Sequence, residues 1–222
     1  MRIKRLPITV VSIFAVGASL VPLPVLAQET AGELSSKALQ ECTQGRVAPE
    51  REVRLAHFQR GQALGEQAIT ADEKYPDAHF SLFCNLGELL RVDGESLTSV
   101  FGLRRMMNEL DRTLELAPHH IDALSAKGTL LVKLPRILGG NSQEGERLLQ
   151  QVVNQAPRAV NARLALAKVR CEHGHHQEAV TLASDALAIA QKLKRIDFIP
   201  EAKAVLQQLL AKSGNTNYKP QS

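Results

Sequence analysis

Residues 103–128 read LRRMMNELDRTLELAPHHIDALSAKG, and this stretch decides the fold. Leu103, Leu110 and Leu114, with the two methionines between them, recur at steps that place them on one side of an α-helix. Pro118 ends that helix, because proline lacks a backbone N–H and clashes with the preceding turn. A second apolar segment begins a few residues later. The stretch therefore predicts two consecutive helices joined by a tight turn.

The same order of helix, proline and helix recurs on both sides of this stretch. Pro76, Pro118 and Pro157 are 42 and 39 residues apart. A helix–turn–helix repeat of about 34 residues with short insertions produces such spacings. Gly128 and Gly145 fall inside two of the predicted helices, where glycine costs about 1 kcal/mol relative to alanine. We therefore expect a neighbouring helix to pack closely against each of them.

The composition favours packed helices over a sheet. Hydrophobic residues make up 44% of the 222 residues and aromatic residues only 4%, with no Trp, whereas strands favour aromatic and β-branched side chains. The whole chain carries a net charge of +4, but without residues 1–27 it has 24 basic and 23 acidic residues. A net charge of +1 leaves no basic surface of the kind that binds nucleic acid, so no nucleic-acid partner is expected.

The first 27 residues predict a signal peptide. A basic start, MRIKR, precedes an uncharged stretch over residues 6–27 that ends in the small residues Val25 and Ala27, where a signal peptidase would read them. The alternative is an uncleaved membrane anchor, which needs about 20 apolar residues, and two prolines at positions 22 and 24 interrupt the run. We predict an exported protein, periplasmic or secreted, without stable membrane insertion after cleavage.

The remainder of the chain divides into three parts by its composition. Residues 28–33 are predicted to be a short linker, and residues 34–212 a helical repeat domain. Gly214 and the polar residues after it predict a flexible tail over residues 213–222.

The predicted helices resemble those of the tetratricopeptide (TPR) repeat family. The last copy matches the family pattern at Leu166, Ala167, Gly174, Ala179, Ala183 and Ala186. The copy before it matches at Leu124, Gly128, Gly145, Leu149, Val152 and Pro157. The resemblance covers about residues 34–211, although the usual Trp and most of the Tyr and Phe are missing. It implies an all-α fold, an α-solenoid of about four stacked antiparallel helix pairs followed by a C-terminal helix.

The loop Leu134–Ser142, LPRILGGNS, resembles one group within the TPR family. It looks like a loop of exported bacterial TPR proteins, which include the T component of tripartite ATP-independent periplasmic (TRAP) transporters. That resemblance implies a protein partner, either an envelope protein or a solute-binding protein, and a homo-oligomer. The alternative interpretation is structural: Gly139 and Gly140 permit a tight turn, and Asn141 or Ser142 caps the next helix.

The inner face of such a solenoid is the expected binding surface, because stacked pairs curve and their first helices line the inner side. We predict that this face carries Ser81, Asn85, Glu88, Ser125, Thr129, Asn161, Leu164 and Lys168. The alternative is that these residues are simply exposed. Some TPR domains hold chaperone C-termini with a clamp of Lys, Asn and Arg. Only Asn85, Asn161 and Lys168 hint at that clamp here, so this class of partner is disfavoured.

A histidine cluster is the one candidate metal site. His173, His175 and His176 surround Gly174 and follow Cys171, and imidazole and thiolate are ligands of zinc and copper. Consecutive side chains on a turn rarely converge on one ion, however. An exposed turn between two helices is therefore the favoured interpretation, and no metal is expected.

The three cysteines allow one disulfide at most. An exported chain meets an oxidising compartment, and Cys42 and Cys84 lie in neighbouring predicted repeats. Their pairing is one interpretation, and three small buried hydrophobic residues are the other. The odd number of cysteines leaves at least one free thiol.

No catalytic motif accompanies the repeats. The sequence contains no GxSxG, P-loop, GxGxxG or HExxH pattern. We expect a non-catalytic protein–protein interaction module of the bacterial envelope, associated with a TRAP-type transporter through its solute-binding protein and without a cofactor. The alternative is a periplasmic carrier of a small ligand or a metal.

Overall fold

The structure is a computed structural model that describes residues 29–93 and 98–216, with backbone alone for residues 93, 98–100 and 213–216. Over these ranges it contains nine α-helices and no strand. The helices are α1 Ala31–Val47, α2 Arg51–Ala71, α3 Pro76–Asp93, α4 Thr98–Leu116, α5 Ile121–Lys133, α6 Ser142–Gln155, α7 Val160–Glu172, α8 His176–Lys192 and α9 Ile199–Thr216. A short 3-10 turn, Arg136–Leu138, lies between α5 and α6.

The helices form four antiparallel pairs and a final helix. The pairs are α1 with α2, α3 with α4, α5 with α6, and α7 with α8, and α9 packs on α8. Successive pairs stack, because α3 contacts both α1 and α2, and α7 contacts both α5 and α6. The predicted all-α solenoid of about four pairs followed by a C-terminal helix is confirmed. None of the helices in the described ranges is both long and apolar enough to cross a bilayer.

Two predicted boundaries differ from the structure. Helix α1 begins at Ala31, inside the predicted linker 28–33, because Thr30 and Glu33 form a capping box. The Thr30 hydroxyl oxygen accepts from the Glu33 backbone N–H at 3.2 Å, and the Glu33 carboxylate accepts from the Thr30 N–H at 2.9 Å. Helix α9 continues to Thr216, past the predicted start of the tail at residue 213, since one glycine inside a helix costs only about 1 kcal/mol.

Other predicted segments lie outside the described residues. These are the predicted signal peptide, residues 1–27, and the last part of the predicted tail, residues 217–222. The export of the chain and the boundary after residue 27 therefore remain predictions.

Two glycines bring α5 and α6 into backbone contact. A Cβ atom added to Gly145 would lie 2.7 Å from the carbonyl oxygen of Gly128, and one added to Gly128 would lie 3.0 Å from that of Gly145. A real Cβ needs more room than this, so only glycine fits at either position without a shift of the helices. The close packing predicted for these two glycines is present.

A disulfide joins the first two pairs. Cys42 of α1 and Cys84 of α3 are bonded, with their Cα atoms 6.3 Å apart. This is the pairing that the sequence analysis considered. Cys171 is a free, buried thiol.

The apolar core runs along the stack as several clusters. The largest lies among α7, α8 and α9, where Ala179, Ala183, Ala186 and Ala190 form one buried face of α8. A second cluster joins α5, α6 and α7. The cluster among α1, α2 and α3 contains only three buried residues. The two ends of the solenoid are therefore held together differently.

Candidate functional site

The first helices of the pairs enclose a groove, which we call the concave groove. Helices α1, α3, α5 and α7 and the segment that leads into α9 form its walls, and its volume is about 790 Å³. Its lining residues are Leu39, Thr43, Arg46, Phe80, Phe83, Cys84, Glu88, Arg91, Asp122, Ala126, Thr129, Leu130, Lys133, Arg158, Ala159, Val160, Asn161, Arg195, Asp197, Phe198 and Glu201.

Three of the predicted inner-face residues line this groove, namely Glu88, Thr129 and Asn161. Lys168 is beside it, because its ammonium donates at 2.8 Å to Glu201, whose side chain is part of the lining. Glu88, Thr129 and Asn161 therefore face the groove, and Lys168 lies at its border. Whether a partner touches them stays a prediction.

The other four predicted residues, Ser81, Asn85, Ser125 and Leu164, are buried between helices, so their placement on an open inner face was wrong. The amide nitrogen of Asn85 donates to the carbonyl oxygens of Ala38 and Ser81, each at 2.9 Å. The Ser81 hydroxyl donates to a carbonyl within its own helix. Asn85 thus links α3 to α1, and both Asn85 and Ser81 are fully buried and out of reach of a partner.

These residues are buried because only a narrow side of each first helix is free of neighbouring helices. In the solenoid, α3 is covered by α1, α2 and α4, which leaves only one stripe of side chains facing the groove. Phe80, Cys84, Glu88 and Arg91 are three or four residues apart and form that stripe. Ser81 and Asn85 are one position further along the helix, which turns them by about 100° into the α1 interface.

Sequence reasoning missed the aromatic part of the groove. Phe80 and Phe83 stack with their ring centroids 5.7 Å apart, and the Phe80 ring lies 4.7 Å from that of His120. Both phenylalanines are only partly buried. The signal was available in the sequence, because Phe80 lies at the required spacing from Cys84 and Glu88, but polarity was used to choose the stripe.

Most charges in the groove are paired within the protein. The Glu88 carboxylate accepts from Arg46 Nε and from Arg91 Nε, each at 2.7 Å. Asp197 accepts from Arg195 at 2.9 Å. Lys133 and Arg158 differ from these residues, because in the described part of the chain neither makes an ion pair.

Lys133 is the most unusual of these cations. Crowding by protein inside the groove lowers the pKa of Lys133, and repulsion from the Lys168 ammonium lowers it further. Glu201 and Glu88 act in the opposite direction, but both are already bonded to other cations. Lys133 is therefore a partly desolvated cation without an anion of its own, and a ligand carboxylate placed beside it would remove that cost.

The histidine cluster does not come together as a metal site. His173 Nδ1 lies 3.1 Å from Glu146 Oε2, and His176 Nδ1 lies 3.5 Å from the sulfur of Cys171. His175 is exposed on the turn. Among the described residues, no three His, Cys, Asp or Glu side chains are close enough to hold one ion.

Comparison with known proteins identifies a similar fold but no related sequence. No protein-family model matches this sequence, and no curated protein matches it. The solved structure of TTC0263, a thermophilic TPR protein of Thermus thermophilus, superposes with a TM-score of 0.50 at 16% identity, over 78% of this chain and 99% of that chain. MamA AMB-1 gives 0.48 at 19% identity, over 83% and 95%. The helices of this chain are thus arranged as in the TPR protein TTC0263.

Proposed function

We propose that this chain is a non-catalytic module that binds a segment of another protein in the concave groove. The observation that carries the proposal is that one groove contains both an apolar surface and a cation. The apolar surface is formed by the partly buried rings of Phe80 and Phe83, and the cation is the unpaired ammonium of Lys133. An apolar side chain on the rings gains from leaving water, and an anion beside Lys133 relieves a desolvated charge. A polypeptide carries both kinds of group at short intervals.

In the described part of the groove lining, the cysteine and three of the four carboxylates are engaged in bonds within the protein. Catalysis by covalent attack needs a nucleophile next to a base. Cys84, the sulfur in the lining, is held in the disulfide, and Glu88, Asp197 and Glu201 are bonded to Arg or Lys. Among the described lining residues there is no histidine. These features support binding without turnover.

We propose the bacterial envelope as the compartment and a solute-binding protein of a TRAP-type transporter as the partner. The support for export is the basic and then uncharged start of the chain, residues 1–27. A disulfide between Cys42 and Cys84 suits an oxidising compartment. The transporter rests on the resemblance of the loop Leu134–Ser142. Cell fractionation with mass spectrometry of the N-terminus tests export, with a mature chain that begins at Gln28 as the expected result.

Site-specific crosslinking tests the binding proposal. A photo-reactive amino acid replaces Thr129, which lines the groove, or Ser184, which is exposed on α8 outside it. We expect the Thr129 position to capture one protein and the Ser184 position not to capture it. Lys133→Glu, which repels an anion, should reduce the capture at least about tenfold, whereas the exposed Lys192→Glu should leave it unchanged. Equal capture from both positions, or no effect of Lys133→Glu, would contradict the proposal.

The second candidate function is a small-ligand carrier, which one observation favours. A groove of about 790 Å³ lies within the usual range of small-molecule sites, about 300–1,000 Å³. Native mass spectrometry of the purified protein separates the two candidates. A bound small molecule in a one-to-one ratio that Lys133→Glu removes would favour the carrier, and a protein found only free of such a molecule favours the docking module.

A further inference from the structure

The exposed apolar side chains of this protein are concentrated at one edge of the solenoid. We call it the turn edge, because the first helix of each pair ends there and the second begins. In the described part of the chain, eight large hydrophobic residues are exposed. Five of them belong to the turn edge: Val47, Val53, Phe101, Ile137 and Leu138.

The most exposed of these residues sits on a firmly held turn. Ile137 is 92% exposed and Leu138 is 45% exposed. The Leu138 and Gly140 N–H groups both donate to the Pro135 carbonyl oxygen, at 2.9 and 3.0 Å, and the Asn141 N–H donates to that of Leu131 at 2.9 Å. A loop without such bonds could turn its isoleucine inward, whereas this backbone holds Ile137 out in water.

A second apolar tip lies on the neighbouring pair. Phe101, in the first turn of α4, is 80% exposed. Helix α4 begins at the edge where α5 ends, because consecutive helices are antiparallel, so the Phe101 tip and the Ile137 tip share the turn edge. Two separate tips of this kind are costly to leave in water, since burial of a large apolar side chain gains about 1.5–3 kcal/mol.

An arginine without an ion pair lies beside each tip. The sequence has no Asp or Glu from residue 96 to 108 or from residue 123 to 143. Arg104 follows Phe101 by one turn of α4, and Arg136 directly precedes Ile137. Neither arginine makes an ion pair among the described residues. Each tip therefore has a cation beside it that no described carboxylate pairs.

We propose that the turn edge docks on the surface of a membrane that contains anionic lipids. Phe101, Ile137 and Leu138 enter the boundary between head groups and acyl chains, while Arg104 and Arg136 meet lipid phosphates. A bilayer is flat and fluid, so it accepts two separated tips at any spacing. A protein partner would instead need two pockets at one fixed separation. The concave groove is lined by a different face, so its function and this docking can be tested separately.

The opposite edge supplies a matched comparison. Leu193 and Ile196 are exposed there, between α8 and α9, beside Lys192 and Lys194. That edge has only this one apolar tip in the described part, and its Arg195 is bonded to Asp197 and lies 4.6 Å over the Phe198 ring. Ile196 is thus an exposed aliphatic side chain beside cations. We expect it to remain in water when the turn edge docks.

Tryptophan fluorescence provides a site-specific test, because the native chain has no Trp. Ile137→Trp, Phe101→Trp and Ile196→Trp each introduce one reporter into the full chain. The probes are vesicles of phosphatidylcholine and phosphatidylglycerol, with and without brominated acyl chains. We expect a blue shift and quenching by the brominated lipid at positions 137 and 101, and neither effect at position 196. Each tryptophan reports only on its own position. Vesicle binding through residues 1–27 would therefore not produce quenching at positions 137 and 101.

Each result of this test decides the proposal. Quenching at position 196 equal to that at position 137, or no quenching at position 137, would overturn it, and the exposed tips would then belong to a protein interface. Omission of phosphatidylglycerol should weaken the partitioning reported by position 137 at least about tenfold, because two arginines face the surface. Partitioning that does not depend on the anionic lipid would contradict the role given to Arg104 and Arg136.

Discussion

Two interfaces between successive helix pairs use different chemistry in this solenoid. The N-terminal interface, between α1 and α3, contains a disulfide, the buried amide of Asn85 and the Arg46–Glu88 ion pair. The C-terminal interface, among α7, α8 and α9, contains eleven buried residues, six of them alanine, and its ion pairs, Lys168–Glu201 and Arg170–Glu178, involve partly exposed side chains. The first two pairs have two smaller apolar clusters with three buried residues each.

The difference shows two ways of holding neighbouring repeats together. Alanine loses no side-chain entropy on burial and lets helices approach closely, so the C-terminal interface depends on fit and dispersion. The N-terminal interface has smaller apolar clusters and contains in addition a covalent bond and directed hydrogen bonds. Each repeat contacts mainly its neighbours, so damage to one interface should remain near it. The following predictions test this separation, beginning with the largest expected effect.

Removal of the disulfide should affect only the N-terminal end. The bond closes a loop of 42 residues, for which the chain-entropy account gives about 4 kcal/mol of stabilisation. Cys42→Ala with Cys84→Ala should therefore speed hydrogen exchange strongly in α1 and α3 and leave α7–α9 unchanged. A reductant should do the same to the natural chain and nothing further to the variant. Equal acceleration in α7–α9 would show that the two ends unfold as one unit.

Overpacking should affect only the C-terminal end. Ala186 is fully buried in the alanine face of α8, so Ala186→Leu should cost about 1–3 kcal/mol. Ala188, two residues along the same helix, is exposed, and Ala188→Leu should cost nothing measurable. Hydrogen exchange should rise in α7, α8 and α9 of the first variant alone. A tolerated Ala186→Leu would mean that this interface is loosely packed.

The capping box should matter at the start of α1 only. Thr30→Ala removes the oxygen that accepts from the Glu33 N–H and should cost about 1 kcal/mol, whereas Thr30→Ser should retain it. The Thr30 backbone N–H lowers the pKa of Glu33, so this contribution is present above the usual carboxyl pKa of 4.5 and is lost as the pH falls through the lowered pKa. Protection of the first α1 amides, taken relative to the intrinsic exchange rate at each pH, should therefore fall in acid.

Lys133→Met should stabilise the protein slightly, by less than about 1 kcal/mol because the side chain is only partly removed from water. The pKa of Lys133 is lowered by burial and by Lys168, so the natural residue is destabilising below its lowered pKa. This cost disappears as the pH rises toward the usual value of 10.5. Thermal melts from pH 7 to 11 should show the difference between variant and natural chain shrink. Exposed Lys192→Met should show no such trend.

The sequence predicted the helices well because their signals are local. The apolar spacing before Pro118, and Gly128 and Gly145 inside helices, each depend on residues a few positions apart, and the structure has all of them. Of the eight residues predicted on the inner face, four are buried between helices. The stripe that contains Phe80 and Glu88 faces the groove because neighbouring helices cover the other sides of α3. That choice depends on contacts between distant residues, such as Asn85 with Ala38. The unpaired state of Lys133 is likewise a property of the assembled groove.

Cys84 takes part in two features at once, since its sulfur is half of the disulfide and also lines the concave groove. Occupancy of the groove and oxidation of the thiols are consequently linked equilibria. Thermodynamic reciprocity requires that any factor by which reduction changes the affinity for an occupant is also the factor by which that occupant changes the thiol–disulfide equilibrium. A titration of the reduction potential with and without bound partner would measure that shared free energy directly.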